Sequence, residues 1–419
     1  AGAGGKQVDF VASGTLASGQ AVALKTDGTV EVITETAITQ AVGTPATFES
    51  GATAWTASVY DTTNNKIVVA YQDTGNSNYG TAVVGTVSGT SISFGTPVVF
   101  AGWTISSLTA TFDSTNSKTV FVYRDGGNSD RGAAVVGTVS GTTISFGSYV
   151  LFTAQNANHF GSTFDSTAGK VVIAYRGFNN ATNAIVGTVS GTSISFGTSV
   201  IFNSGHTDSP TTLTFDSTNS KVIIAITAAA SNDFGSAIVG TVSGTSISFG
   251  TAVIFNSAYT YQLGSTFDST NNKVVITYQN QGSSSFGTAI VGTVSGTSIS
   301  FGTAVVFNSF STSYTSATFD SFSSTVVTSY QDNQIAGKGA VIVGTVSGTS
   351  ISFNTEVVFG TASTTYISSA FDSDENRTAI AYGHSGSTGL GVVVRTANTT
   401  TNNTSFIGIT DAAISSAAS

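Results

Sequence analysis

The chain predicts an all-β fold: a seven-bladed β-propeller of four-stranded antiparallel blades, preceded by a short N-terminal β segment. Three observations carry this expectation. The string GTVSGT begins at Gly85, Gly137, Gly187, Gly240, Gly292 and Gly344, at spacings of 52, 50, 53, 52 and 52 residues. An aromatic-Asp pair occurs seven times, at Tyr60-Asp61, Phe112-Asp113, Phe164-Asp165, Phe215-Asp216, Phe267-Asp268, Phe319-Asp320 and Phe371-Asp372. Between these markers the chain is rich in Val, Ile, Thr, Phe and Tyr, which suit a pleated surface, and shows no sustained helical period.

Each repeat reads as four strands. In the fifth, residues 264–268 form a short first strand ending in the aromatic-Asp pair. Residues 273–279 (KVVITYQ) are the second strand, 287–295 the third and 297–307 the fourth, with Gly302 marking a bulge or bend. In the turn after Phe267, Asp268 is placed to accept from backbone N–H groups one or two residues on, and Asn tolerates a left-handed backbone. Ser295-Gly296 reads as a two-residue hairpin tip, with Gly supplying the positive φ. Continuous apolar runs such as Val222-Ile223-Ile224-Ala225-Ile226 require both faces of a sheet to be covered. Sheets stacked radially cover one another. A β-solenoid is the alternative, but its coils are usually shorter and its strands parallel.

The repeats fill residues 43–414, leaving 415–419 as a tail and 1–42 as a separate segment. The seventh repeat lacks GTVSGT and carries a longer Thr/Asn stretch, 396–404. Residues 43–50 (GTPATFES) match the end of a fourth strand, so they are expected to pair beside the seventh repeat and close the ring. Within 1–42, AGAGG reads as a flexible end, and residues 21–24 and 29–33 as a β-hairpin punctuated by Gly19-Gln20 and Asp27-Gly28.

Composition narrows the function. The 419 residues are 40% hydrophobic and 8% charged, with 22 acidic against 13 basic side chains, a net charge of −9, and no Cys or Met. The positive mean hydropathy does not fit a charge-rich disordered chain. A nucleic-acid partner would need the opposite sign of charge. No apolar run approaches the roughly 18 residues of a membrane-spanning helix. Without Cys there are no disulfides, thiol nucleophiles or Cys-ligated metals. The first residue is Ala1 and no Met exists, which reads as a processed, trimmed or fragmentary chain.

Strand order assigns the connections to faces. The first-to-second and third-to-fourth turns repeat closely and fall on one side of the disc. The second-to-third and fourth-to-first connections differ in every repeat and fall on the other. That variable face collects the rare chemistry, and loops on a rigid scaffold are where function usually sits. Its candidate ligand-binding residues are Trp55, Tyr79, Trp103, Arg124, Asp125, Arg131, His159, Phe160, Arg176, His206, Tyr259, Tyr261, Tyr314, Tyr366 and His384. Aromatic anchors with Arg and Asn suit recognition, including stacking on sugar rings. Drift on a face free of turn and core constraints is the bland alternative.

Catalytic and cofactor motifs are lacking. Each repeated Asp has only Ser, Thr and Asn beside it, except Asp374-Glu375, so turn capping is a better reading than calcium binding. The His gaps of 47 and 178 residues do not match a zinc spacing. Five Glu, no G-x-S-x-G elbow and no strand–helix phosphate cradle argue against an enzyme, and no cofactor or metal is expected. Sequons at Asn180, Asn398, Asn402 and Asn403 are what chance supplies in a chain rich in Asn and Thr.

The segment 8–33 (VDFVASGTLASGQAVALKTDGTVEVI), the repeat and the end 406–414 (FIGITDAAI) together resemble repetitive propeller proteins of tailed bacteriophages from aquatic microbes. The resemblance implies a tail-fibre or virion-surface component, often oligomeric, and supplies no catalytic residues. The expected function is non-enzymatic attachment at a virion or extracellular surface. The variable face would recognise a host-surface glycan or receptor. The regular face would dock to other virion or surface proteins or to further copies of the chain, with no nucleic acid and no membrane insertion. A purely structural decoration or fibre-forming subunit, and a secreted bacterial lectin-like adhesin, are the alternatives.

Overall fold

A computed structural model describes residues 11–409, apart from residues 19, 34, 206, 208–210, 229–231 and 402–405. It divides into two compact units, one formed by 41–395 and the other by 1–40 with 396–419.

The larger unit is a β-propeller. Every repeat folds into an antiparallel four-stranded sheet, as in the fifth, where the end of Val253–Asp268 pairs with Lys273–Asn280, then Phe286–Ser295, then Ser298–Phe301. The fourth strand breaks at Gly302 and resumes at Val305, which pairs with Ala289 of the third strand. The same strand, Val305–Asp320, then crosses to become the inner strand of the next sheet. Each inner strand touches the next around the axis, and that of the seventh sheet returns to that of the first. Hydroxyl pairs mark this seam, among them Ser58 with Ser368 at 2.8 Å, Thr212 with Ser265 at 2.8 Å and Ser316 with Ser369 at 2.8 Å.

No single core holds this unit. Among the described residues, seven apolar clusters lie between neighbouring sheets. Alternation explains the continuous apolar runs: Val68 and Ala70 face the second sheet, while Ile67, Val69 and Tyr71 face the seventh. At six of the seven junctions a Phe of the fourth strand packs on a Tyr in the second strand of the following sheet; at the remaining one Phe202 packs on Phe249 and the Tyr position holds Ile226. Phe100 meets Tyr123 at 5.4 Å, Phe255 meets Tyr278 at 5.3 Å and Phe359 meets Tyr382 at 5.2 Å between ring centroids.

The seventh sheet takes its fourth strand from the other end of the unit. Thr388–Arg395 pairs with Ala41–Val42 and with Ala46–Glu49, the pairing expected for residues 43–50. The sequence reading carries the ring to residue 414. In the structure, Phe406–Ile409 instead pairs with Ala21–Ala23 and belongs to the smaller unit. The reason is that strand Ala46–Glu49 already occupies the edge the seventh sheet would have offered.

The repeated Asp residues cap turns. Asp268 Oδ1 accepts from the N–H of Thr270 at 3.0 Å and of Asn271 at 2.9 Å, and Oδ2 accepts from Asn271 Nδ2 at 2.9 Å. Both oxygens are thus committed to a buried Asx-turn. In the smaller unit, Ala21–Leu24 and Thr29–Val32 form the expected hairpin, with Asp27 Oδ1 accepting from Thr29 N at 2.9 Å.

Candidate functional site

The inner strands carry a regular irregularity. Register slips between Ala54 and Ala57, Ser106 and Thr109, Asn158 and Gly161, Tyr261 and Gly264, Ser313 and Ser316, and Thr365 and Ser368. Within each slip one non-glycine residue adopts positive φ: Trp55, Ser107, His159, Gln262, Tyr314 and Tyr366, all between 48° and 55°. Side chains rarely take this conformation, and such bulges bend a strand and re-aim its residues. Six identical slips around one axis turn these six residues into a common space. The equivalent place in the fourth sheet lies at residue 210, outside the described residues.

That space is a cavity of about 350 Å³ at the axis. One side is aromatic. Tyr366 stands between Trp55, at 5.5 Å, and Tyr314, at 5.2 Å between ring centroids, and Tyr261 completes the arc. Ser107, His159 and Gln262 supply polar atoms around the rest. The residue after each bulge forms the floor: Thr56, Leu108, Phe160, Leu263, Thr315 and Ile367. Thr56 and Thr315 fasten the floor by donating across sheets to the carbonyls of Tyr366 and Gln262. Gln262 Oε1 in turn accepts from the N–H of Tyr314 at 3.2 Å. Burial, and then the neighbouring Tyr366 and Tyr261, raise the Tyr314 phenol, so it remains a neutral hydroxyl able to donate. No Asp, Glu, Lys or Arg lines the cavity among the described residues.

The structure therefore gathers Trp55, His159, Phe160, Tyr261, Tyr314 and Tyr366 at one place. Phe160 is nearly buried there and also packs against Phe152 and Tyr175. Arg124 and Arg176 line a different groove, between the second and third sheets. Asp125 is 0% exposed, against its reading as a loop ligand. Its Oδ1 accepts from Gly127 N at 2.9 Å and its Oδ2 from Asn128 Nδ2 at 2.9 Å, so it shapes the turn from within.

The other expected residues disperse. Trp103 packs edge-on against Tyr149, at 5.2 Å, and over Gly127. Tyr79 begins the strand Tyr79–Ser88 and pairs with Asp73. Arg131 begins Arg131–Ser140 opposite Asn156. Tyr259 stacks on Tyr261 at 6.3 Å, opposite Phe234. His384 ends Arg377–His384, 6.3 Å from the Tyr382 ring. His206 lies outside the described residues.

Sequence reasoning missed Ser107 and Gln262 in the axial cavity, and Asn156, Asn158, Phe178 and Asn180 in the groove. One signal for the first pair was present. Trp55, Ser107 and His159 stand 52 residues apart in succession, as do Gln262, Tyr314 and Tyr366, so register within the repeat places them together.

No family model and no curated protein sequence matches the chain. Solved structures share its fold. The BP39L lectin from Burkholderia pseudomallei aligns with a TM-score of 0.61 at 11% identity, covering 86% of this chain and 100% of that one. A chain of the mitotic checkpoint complex aligns with a TM-score of 0.55 at 10% identity, covering 84% of this chain and 93% of that one. The SapL1 lectin in complex with alpha methyl fucoside gives a TM-score of 0.49 at 13% identity, covering 75% and 97%.

Proposed function

We propose that the protein is a non-enzymatic, lectin-like carbohydrate-binding propeller whose axial cavity takes a neutral sugar. The observation that carries this reading is the arc of Trp55, Tyr366 and Tyr314 around a cavity whose described lining is uncharged. Sugar rings offer apolar C–H faces that stack on aromatic rings, and hydroxyls that exchange hydrogen bonds with neutral polar groups. Ser107, Gln262, His159 and the un-ionised Tyr314 supply such groups at the rim. The volume falls in the range of small-molecule sites, about 300–1,000 Å³. Glycosidic hydrolysis needs two carboxyl groups flanking the bond, and the described lining offers none. The fold is shared with a lectin. This reading favours a lectin-like adhesin over a dedicated virion attachment protein. The resemblance to phage propellers bears only on where such a lectin would be displayed, at a virion or other extracellular surface.

A neutral glycan array, followed by titration of the best ligand, tests the reading. Trp55→Ala and Tyr366→Ala are expected to weaken binding by about tenfold or more. Trp55→Phe should retain part of the affinity, because it keeps a stacking ring. A blank array, or full affinity in both alanine variants, would remove the axial cavity from consideration.

A further inference from the structure

Arg124 and Arg176 occupy the same place in successive repeats, near the end of the second strand, 52 residues apart. In most other repeats that place holds a neutral side chain with a structural task. Gln72 donates to the carbonyl of Ile105, and Gln279 Nε2 donates to the carbonyl of Thr312 at 2.6 Å, each tying one sheet to the next. Arg176 makes the comparable bond, Nη1 to the carbonyl of Thr207 at 3.4 Å. A neutral amide is therefore sufficient for the fold. Two guanidinium groups at adjacent sheets, in a chain of net charge −9, go beyond that need.

Both line one groove of about 80 Å³ between the second and third sheets, together with Asn156, Asn158, Asn180 and Phe178. No acidic residue is among its described lining. Arg176 is held in place by Asn180 Oδ1, which accepts from Nε at 3.1 Å and from Nη2 at 2.8 Å. Arg124 Nη2 lies 2.7 Å from Asp130 Oδ2, in a pair whose side chains are 35% and 43% exposed. An exposed pair of this kind contributes little, and it shows that the guanidinium accepts a carboxylate at this place. Past Phe178, itself 63% exposed, the groove continues into a hollow of about 330 Å³ that shares Asn156 and Phe178.

We propose that this groove binds the anionic group of an acidic saccharide, with the sugar ring on Phe178 and the adjoining residue in the hollow. The planar, forked guanidinium matches the paired oxygens of a carboxylate or a sulfate ester. The Asn amides serve the flanking hydroxyls, and an exposed aromatic ring supplies a face for the pyranose. The site is separate from the axial cavity and carries charge, whereas the described lining of that cavity carries none.

The full-length chain is titrated at low ionic strength with three tetrasaccharides: tetragalacturonate, a sulfated galactan tetramer and neutral maltotetraose. At least one acidic probe is expected to bind more tightly than maltotetraose, and which one does so identifies carboxylate or sulfate. Arg124→Gln combined with Arg176→Gln restores the residue used at Gln72 and Gln279, so Tm should hold while acidic binding falls about 10- to 100-fold. Trp55→Ala should leave acidic binding unchanged. If the unaltered chain binds an acidic probe but no neutral sugar, that counts against the axial cavity and not against this groove. The proposal is overturned if neither acidic probe outbinds maltotetraose, or if the double Arg variant retains its affinity. It is also overturned if equimolar inorganic sulfate displaces the saccharide completely, since the sugar would then contribute nothing.

Discussion

The ring of Phe48 lies 5.1 Å from that of Tyr71 and thereby joins the last sheet of the propeller to the first. Phe48 belongs to Ala46–Glu49, the strand that completes the seventh sheet, and it is buried in the cluster that also holds Ala370, Ala379 and Val393. The same Phe–Tyr contact recurs at most other junctions, but only here does it join the two ends of the repeat array. Tyr71 adds a second tie, its hydroxyl donating to Glu49 Oε2 at 3.0 Å.

Replacing Phe48 by Ala is therefore expected to cost about 3 kcal/mol or more, the usual loss for a buried Phe. Deleting residues 1–50 should lower Tm further, because the seventh sheet then loses its fourth strand as well. Thermal unfolding of both variants checks this. An unchanged Tm in the deletion would show that the ring does not depend on this strand.

A second prediction concerns the glycines that break the fourth strands. A Cβ on Gly250 would stand 1.8 Å from the carbonyl oxygen of Thr297, in the hairpin of the following sheet, and one on Gly302 would stand 1.9 Å from that of Thr349. These are backbone atoms and cannot step aside. The corresponding residue of the sixth repeat is Asn354, and the seventh repeat has no GTVSGT hairpin to collide with it. Gly250→Ala and Gly302→Ala should each cost about 1–3 kcal/mol. Asn354→Ala should cost only about 1 kcal/mol, through loss of the 3.1 Å bond that its Oδ1 accepts from Val343 N. Equal losses at all three positions in denaturant titrations would refute the steric account.

A third follows from the buried tyrosines. Burial raises the phenols of Tyr71, Tyr123, Tyr278, Tyr330 and Tyr382, with Glu49 and Glu356 adding to the effect at Tyr71 and Tyr330. Tyr60, closer to solvent, is pushed up to about 12, first by burial and then by Asp372. The folded chain holds these protons above the unfolded value near 10, where the unfolded chain has begun to release them. Stability is thus level below pH 10 and falls as pH rises beyond it, by up to about 1.4 kcal/mol per unit for each fully buried phenol. Melting curves from pH 7 to 11, with phenolate absorbance as a second readout, check this. If all 13 tyrosines titrate near pH 10 in the native protein, burial is not holding the protons.

Much of the ring was legible in the residues alone because its signals are local. Asp268 needs only Thr270 and Asn271 to form its turn, and Gly296, at φ 59°, needs only its own freedom to make the hairpin tip. The site was legible in part. Trp55, Tyr314 and Tyr366 stand out by residue type, but nothing in Ser107 or Gln262 announces a left-handed backbone. These are ordinary side chains held there by the strands on either side. Asp125 misled because an acid in a variable loop looks available, whereas the turn it caps has enclosed it.

The sequence by itself determined the seven repeats, their strands and turns, and the segment that closes the ring, since each depends on contacts within a repeat or on copies of one pattern. Only the tertiary structure decided which variable residues meet. Trp55 and Tyr366 are 311 positions apart along the chain yet have adjacent rings. Closing seven sheets about an axis brings equivalent positions together whatever lies between them, and a bulge in each inner strand turns their side chains to the centre.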